Sequence, residues 1–167
     1  MLGVSLVFVG ITLVLNGLIG LNNWNKKDLV LINFLTGGMI LLFNLYSLIT
    51  SQVPSNDIHY LGGLLFGFTN IFIAIFAKNN ESEKFFGYYC LLSTISALIL
   101  GIYLLVIGST LAGIFWLVWM LIWLFGFIGY SLNQKFQVAT NLMFIIQGAT
   151  TTFLFGFLIL MNVAKLY

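Results

Sequence analysis

The sequence predicts an all-α integral membrane protein with six transmembrane helices in three hairpins. Three observations carry this. Of 167 residues, 61% are hydrophobic and only 6% are charged, with a mean hydropathy of +1.11, against about a quarter charged in a soluble domain. The apolar residues form unbroken runs rather than an alternating pattern. In lipid, where the backbone must satisfy its own hydrogen bonds, such runs select helices over a closed barrel. At roughly 20 apolar residues per span, six helices use about 120 positions and leave roughly 45. One transmembrane domain, 1–167, therefore fills the chain, and no soluble domain fits beside it.

The segments follow in order. The first, Met1 to Leu21, turns apolar at once without a basic leader, and is too long and wrongly flanked for a cleaved signal peptide. The second, Leu29 to Thr50, follows Lys26, Lys27 and Asp28. The third, Tyr60 to Ala77, follows a loop with Pro54, Asp57 and His59. KNNESEK leads into the fourth, Phe86 to Ile107. Almost no polar sequence separates it from the fifth, Leu111 to Ser131. The sixth, Val138 to Ala164, begins after NQKF. Connections this short join antiparallel hairpins. A faint repeat accompanies them: FLTGGMI from Phe34 and FIIQGAT from Phe144 each place a glycine four residues after the phenylalanine, while the third member, LLSTISA, has none.

Every ionisable side chain lies between or after the segments. Five of the six lysines, Lys26, Lys27, Lys78, Lys84 and Lys135, fall in the first, third and fifth connections, and Lys165 follows the last span. The positive-inside rule then puts loops 22–28, 78–85 and 132–137 in the cytoplasm and both termini outside. Asp57 and His59 face the external compartment in this topology.

The same scarcity of charge excludes several functions. There is no arginine and no clustered basic face, so nucleic acid is not a partner. Cys90 and His59 are single, so one chain assembles neither a disulfide framework nor a multi-ligand metal site, and no cofactor is expected. The spans hold no nucleophile, base and metal set for an enzyme. They hold no ionisable group for coupling either, and no proline-broken helix. A neutral solute moving passively fits best.

Segment five supplies a candidate path. Trp116, Trp119, Trp123 and Phe127 stand at i, i+3, i+7 and i+11, within a stripe roughly 80° wide on a helix. Trp119 and Trp123 lie about 3 Å from the segment midpoint, too deep for an interfacial belt. The stripe therefore either lines a pore or packs against neighbouring helices. Flat aromatic walls suit a small planar amide and exclude hydrated ions. Asn16, Asn33, Asn44, Asn70, Asn141, Gln147, Ser93, Thr94 and Thr150 to Thr152 are hydrogen-bonding partners along a path or glue between helices. Gly37, Gly38, Gly63, Gly67, Gly148 and Gly156 are assigned to close helix packing. Tyr46, Tyr60, Tyr88 and Tyr89 are expected to anchor the interfaces, and Cys90 to be a small core residue.

The strings MLGVSLVFVGITLVLNGLIGL, INFLTGG, GLLFGFTNIFIA, IFWLVWMLIWL and FIIQGAT, in this order and spacing, resemble the bacterial urea and amide channel family over essentially the whole chain. The resemblance implies a six-helix bundle with external termini in the bacterial inner membrane. It implies a homohexameric ring with one pore per protomer, passing urea to a cytoplasmic urease or short amides to an amidase. It also implies a narrow path lined by Leu13, Phe66, Trp116, Trp119, Ile122 and Trp123, with Asn16 near the inner end. Two positions depart from the family pattern. Asn70 stands where urea-specific members carry tyrosine, and Gln147 where some carry glutamate; both amides can donate and accept hydrogen bonds. Acid-gated relatives have longer external loops with several histidines and carboxylates. Here Asp57 and His59 are the only candidates for pH sensing, so little acid gating is expected.

Overall fold

The computed structural model describes residues 2–50, 57–79 and 83–166, without the side chains of Asp57, Ile58, His59 and Gln134. Five helices come first: α1 (Leu2–Leu21), α2 (Asp28–Thr50), α3 (Asp57–Asn79), α4 (Glu83–Val106) and α5 (Thr110–Phe127), the last running on into a π-helical Ile128–Leu132. After a 3₁₀ turn, Gln134–Phe136, the sixth span is built from α6 (Gln137–Gln147), a π-helical stretch Gly148–Leu154, and α7 (Phe155–Leu160). Among the described residues six stretches are long and apolar enough to cross a membrane, each within a few residues of its sequence-based bounds.

The helix ends explain where the boundaries fall. Asn23, Gly108 and Asn162 take positive φ of 51°, 85° and 58°, the left-handed residue that closes a helix C-terminus. In each case the next amide donates back five residues: Trp24 to Ile19, Ser109 to Leu104 at 2.8 Å, and Val163 to Leu158. Gly108 thus allows the tight, scarcely polar link between α4 and α5. Asn162 stops the sixth span short of the expected Ala164. The hydrophobic sequence continues there for a different reason. The tail turns back, and Ala164 and Leu166 pack on the core.

Within the membrane the helices associate in three tight pairs: α2 with α3, α4 with α5, and α1 along the whole sixth span. The expected three hairpins are thus corrected to two, α2 with α3 and α4 with α5, because the third pair joins the two ends of the sequence, which loop lengths do not reveal. Each pair meets at glycines whose missing side chains let backbone touch backbone. A Cβ on Gly37 would lie 2.8 Å from the Gly67 carbonyl, one on Gly113 2.9 Å from that of Gly101, and one on Gly10 2.7 Å from that of Gly148. Three equivalent contacts correct the faint repeat. Gly37, not Gly38, matches Gly148, because Gly38 has nothing within 4 Å. The fourth helix supplies its glycine at Gly101, beyond LLSTISA.

Because the tight contacts lie within pairs, α1, α3 and α5 do not pack backbone to backbone among the described residues. Large side chains fill the gap between them: Leu13 and Leu6 from α1, Phe66 from α3, and the tryptophans of α5. A polar seam ties α1 to α2. The Thr12 and Thr36 hydroxyls are 2.8 Å apart, and the Asn16 and Asn33 amides pair reciprocally at 3.1 and 2.7 Å.

Gly10→Leu should be severely destabilising, because its side chain would meet the Phe153 amide nitrogen 2.5 Å from Cβ and backbone cannot rotate away. Overpacking costs about 1–3 kcal/mol or more, so thermal unfolding in detergent should show a clear fall in Tm. Gly38→Ala is the control, expected to leave Tm unchanged or raise it, since alanine is the better helix former by about 1 kcal/mol.

Candidate functional site

At the centre of the bundle α5 turns Trp116, Trp119 and Trp123 toward α3, where Phe66 meets all three. Its ring centroid lies 5.9 Å from Trp116, 5.4 Å from Trp119 edge-on at 87°, and 4.8 Å from Trp123. Trp116 and Trp123 are parallel within 5°, with centroids 6.5 Å apart. Gly62 makes this possible on the α3 side, since a Cβ there would collide with the Trp116 ring. Trp119 and Trp123 are 2% and 1% exposed. The rings are in mutual contact.

Both mid-membrane indole N–H groups are engaged by threonine hydroxyls. Trp119 Nε1 donates to Thr151 Oγ1 at 3.0 Å and Trp123 Nε1 to Thr69 Oγ1 at 2.9 Å. What remains is a constriction walled by ring faces and edges, without a charged side chain among its lining.

Two cavities flank it and share no lining residue. One, of about 230 Å³, opens toward the end bearing the chain termini and is lined by Phe66, Trp116 and Trp119 with Asn44, Tyr60 and the returning Leu166. The other, of about 870 Å³, opens at the lysine-bearing end, where Lys26, Glu83 and Lys84 stand beside Asn16, Asn141 and Phe144. Glu83 ties its rim together, pairing with Lys26 and accepting from Gln137 Nε2 at 3.4 Å.

The residues expected on the path fall into three groups. Phe66, Trp116 and Trp119 line the smaller cavity, and Asn16 lines the larger one. Leu13, Ile122 and Trp123 are buried in the core between the cavities. Asn70 lies one turn from Phe66 and donates to its carbonyl at 2.8 Å. Gln147 lines neither cavity. It reaches between the fifth and sixth spans, donating to the Val118 carbonyl at 3.0 Å and to Met143 Sδ at 3.1 Å, while its buried Oε1 has no partner among the described residues. The side chains of Asp57 and His59 lie outside the described residues.

Thr151 is among the hydrogen-bonding candidates of the sequence, whereas the roles of Thr69 and Tyr89 are not signalled there. Thr69 and Thr151 accept the indole N–H bonds. Tyr89, expected at an interface, turns inward instead, its hydroxyl donating to the Leu65 carbonyl at 3.0 Å and standing 3.2 Å from Thr69 Oγ1. The available signal was the need of each mid-membrane indole for an acceptor. Cys90 is buried in the core. Among the described residues no group of His, Cys, Asp and Glu is placed to hold a metal ion.

This architecture has solved counterparts. The urea channel from the human gastric pathogen Helicobacter pylori superposes with a TM-score of 0.86 at 27% identity, covering 99% of this chain and 100% of that one. A closed state of the Helicobacter pylori urea channel gives 0.84. An acid-activated urea channel from Helicobacter pylori is 32% identical over 92% of this chain and 94% of its own length. A Mycolicibacterium smegmatis protein named for transport of amidate substrates is 27% identical over 94% of this chain and 75% of its own. The AmiS/UreI family transporter profile matches residues 1–163. With the whole bundle and nearly the whole sequence matched, the chain belongs to the AmiS/UreI family of transporters.

Proposed function

We propose that this chain is a passive channel conducting urea and similar small neutral planar amides across the bacterial inner membrane to a cytoplasmic urease. The observation that carries the reading is the uncharged aromatic constriction between two cavities. Stripping an ion of water at such a place costs tens of kcal/mol in the idealised limit, and ring faces return only about 2 kcal/mol of it to a cation. A flat neutral amide needs the smallest parting of the rings. It can exchange hydrogen bonds with neutral amides such as Asn16 and Asn141 at the larger cavity. The described spans carry Asp, Glu and Lys only at their ends, at Asp28, Lys78, Glu83 and Lys84, so no charged side chain at depth couples a gradient and movement is downhill.

The lysine asymmetry supports placing the larger cavity in the cytoplasm and both termini outside. The family resemblance supports a homohexameric ring with one pore per protomer, and lipid meets the remaining apolar outer surface. A second reading, short aliphatic amides delivered to an amidase, is favoured by Asn70, a smaller side chain than the tyrosine of urea-specific members.

Stopped-flow uptake into proteoliposomes tests this. Urea entering faster than acetamide marks the first reading, the reverse order marks the second, and neither exceeding empty liposomes removes both. Trp119→Ala should alter flux and selectivity with the oligomer intact; loss of assembly would instead make the stripe a packing element.

The channel should also be open at neutral pH. Urea flux is expected to change little between external pH of about 7.5 and about 5, the range in which an ordinary histidine titrates. A several-fold rise in acid, abolished by His59→Ala, would contradict this.

A further inference from the structure

We propose that Thr69 and Thr151 are positioning residues that hold Trp123 and Trp119 by accepting their indole N–H bonds, and that this hold sets which planar amides pass. The proposal rests on the reading of the aromatic constriction as the permeation path.

The polarity of the two contacts is determined by proton counting. A threonine hydroxyl has one proton and two lone pairs. Thr69 is 2.6 Å from the Leu65 carbonyl and Thr151 is 2.9 Å from the Gln147 carbonyl, each four residues back on its own helix. Those carbonyls can only accept, so each hydroxyl gives them its proton and presents lone pairs to the indole. The indole nitrogen can only donate. Each pair is thus matched one way, and a tryptophan that swings loses an acceptor that lipid cannot replace.

The two threonines also stand on opposite flanks. Trp119 and Trp123, one turn apart on α5, are drawn respectively toward the sixth span and toward α3. Divergent tethers explain how Phe66 meets Trp119 edge-on at 87° yet lies tilted at 47° on Trp123. Each tether is itself braced. Thr69 lies 3.2 Å from the Tyr89 hydroxyl, which bonds the same Leu65 carbonyl at 3.0 Å, so α4 stiffens the α3 acceptor. Thr151 stands in the π-helical Gly148–Leu154, where the wider turn lets Thr152 Oγ1 reach Gln147 O, five residues back, at 3.3 Å as well as Gly148 O at 2.7 Å. The π-helical stretch thereby sets the register at which Thr151 faces Trp119. Π-helical turns inside long helices occur frequently at functional sites.

The test uses the full-length channel in lipid nanodiscs and proteoliposomes, with Thr151→Val, Thr69→Val and the conservative Thr151→Ser and Thr69→Ser. Ultraviolet resonance Raman reads indole N–H hydrogen bonding, with bands assigned through Trp119→Phe and Trp123→Phe. Each valine variant should shift the band of its own tryptophan toward the unbonded position and leave the other in place. The urea-to-propionamide permeability ratio should fall about threefold, the factor expected from one intramembrane hydrogen bond. Serine should restore both readouts.

A band that stays in place on valine substitution overturns the proposal, as does a shifted band with unchanged selectivity, or serine failing to restore. If one valine variant does not assemble, the other decides. Wild-type channels passing no amide faster than lipid would remove the permeation reading, and this proposal with it; wild-type flux with unaltered valine variants would remove this proposal alone.

Discussion

Close backbone contact at glycines, repeated in three helix pairs, is the constraint on which the rest of this structure depends. Between helices in lipid there is little hydrophobic gain, so association rests on packing and hydrogen bonds. At Gly37 with Gly67, Gly101 with Gly113, and Gly10 with Gly148, the pairs approach as closely as backbone permits. That draws each even-numbered span against an odd-numbered one and leaves a gap among α1, α3 and α5. The widest side chains in the molecule occupy it. Small residues outside and large aromatics inside are two sides of one arrangement: without the glycines, the tryptophans of α5 would have no central space to enter.

The chemistry of that space follows from what is missing. The charges of the described chain stand at the two ends, where Glu83 gathers Lys26 and Gln137 at the rim of the larger cavity. Between the ends, polar groups bond one another: the Asn16–Asn33 amide pair, the Thr12–Thr36 hydroxyls, and the indole N–H groups on Thr69 and Thr151. A constriction whose donors are already engaged offers little to an ion. It offers a flat surface to a flat neutral molecule, with the neutral amides Asn16 and Asn141 lining the larger cavity outside the narrow part. This is the physical link between the scarcity of charge in the sequence and the neutral cargo proposed for the site.

Much of this was legible in the sequence, for reasons that also mark where legibility ends. A span must be long and continuously apolar, so Leu2–Leu21 and its five successors were readable within a few residues. The exception was the last end, where Leu166 is apolar because it packs into a cavity rather than because it extends a helix. The stripe Trp116, Trp119, Trp123 was readable because helical periodicity alone puts those positions on one face. The pairing of α1 with the sixth span was not, since partners distant in sequence leave no local signature and Gly37 cannot be told from Gly38 without the facing backbone. Thr69 and Tyr89 escaped for the same reason: a threonine becomes an acceptor for an indole only through a neighbour 54 residues away in the case of Trp123.

The proposed function stands on this aromatic constriction passing neutral amides downhill. Its most direct test is the steady-state distribution of labelled urea across proteoliposomes held with imposed proton or sodium gradients, or with none. Rapid equilibration to equal concentrations inside and outside is expected in every case. Accumulation above the external concentration under either gradient would contradict it, and so would equilibration no faster than across protein-free lipid.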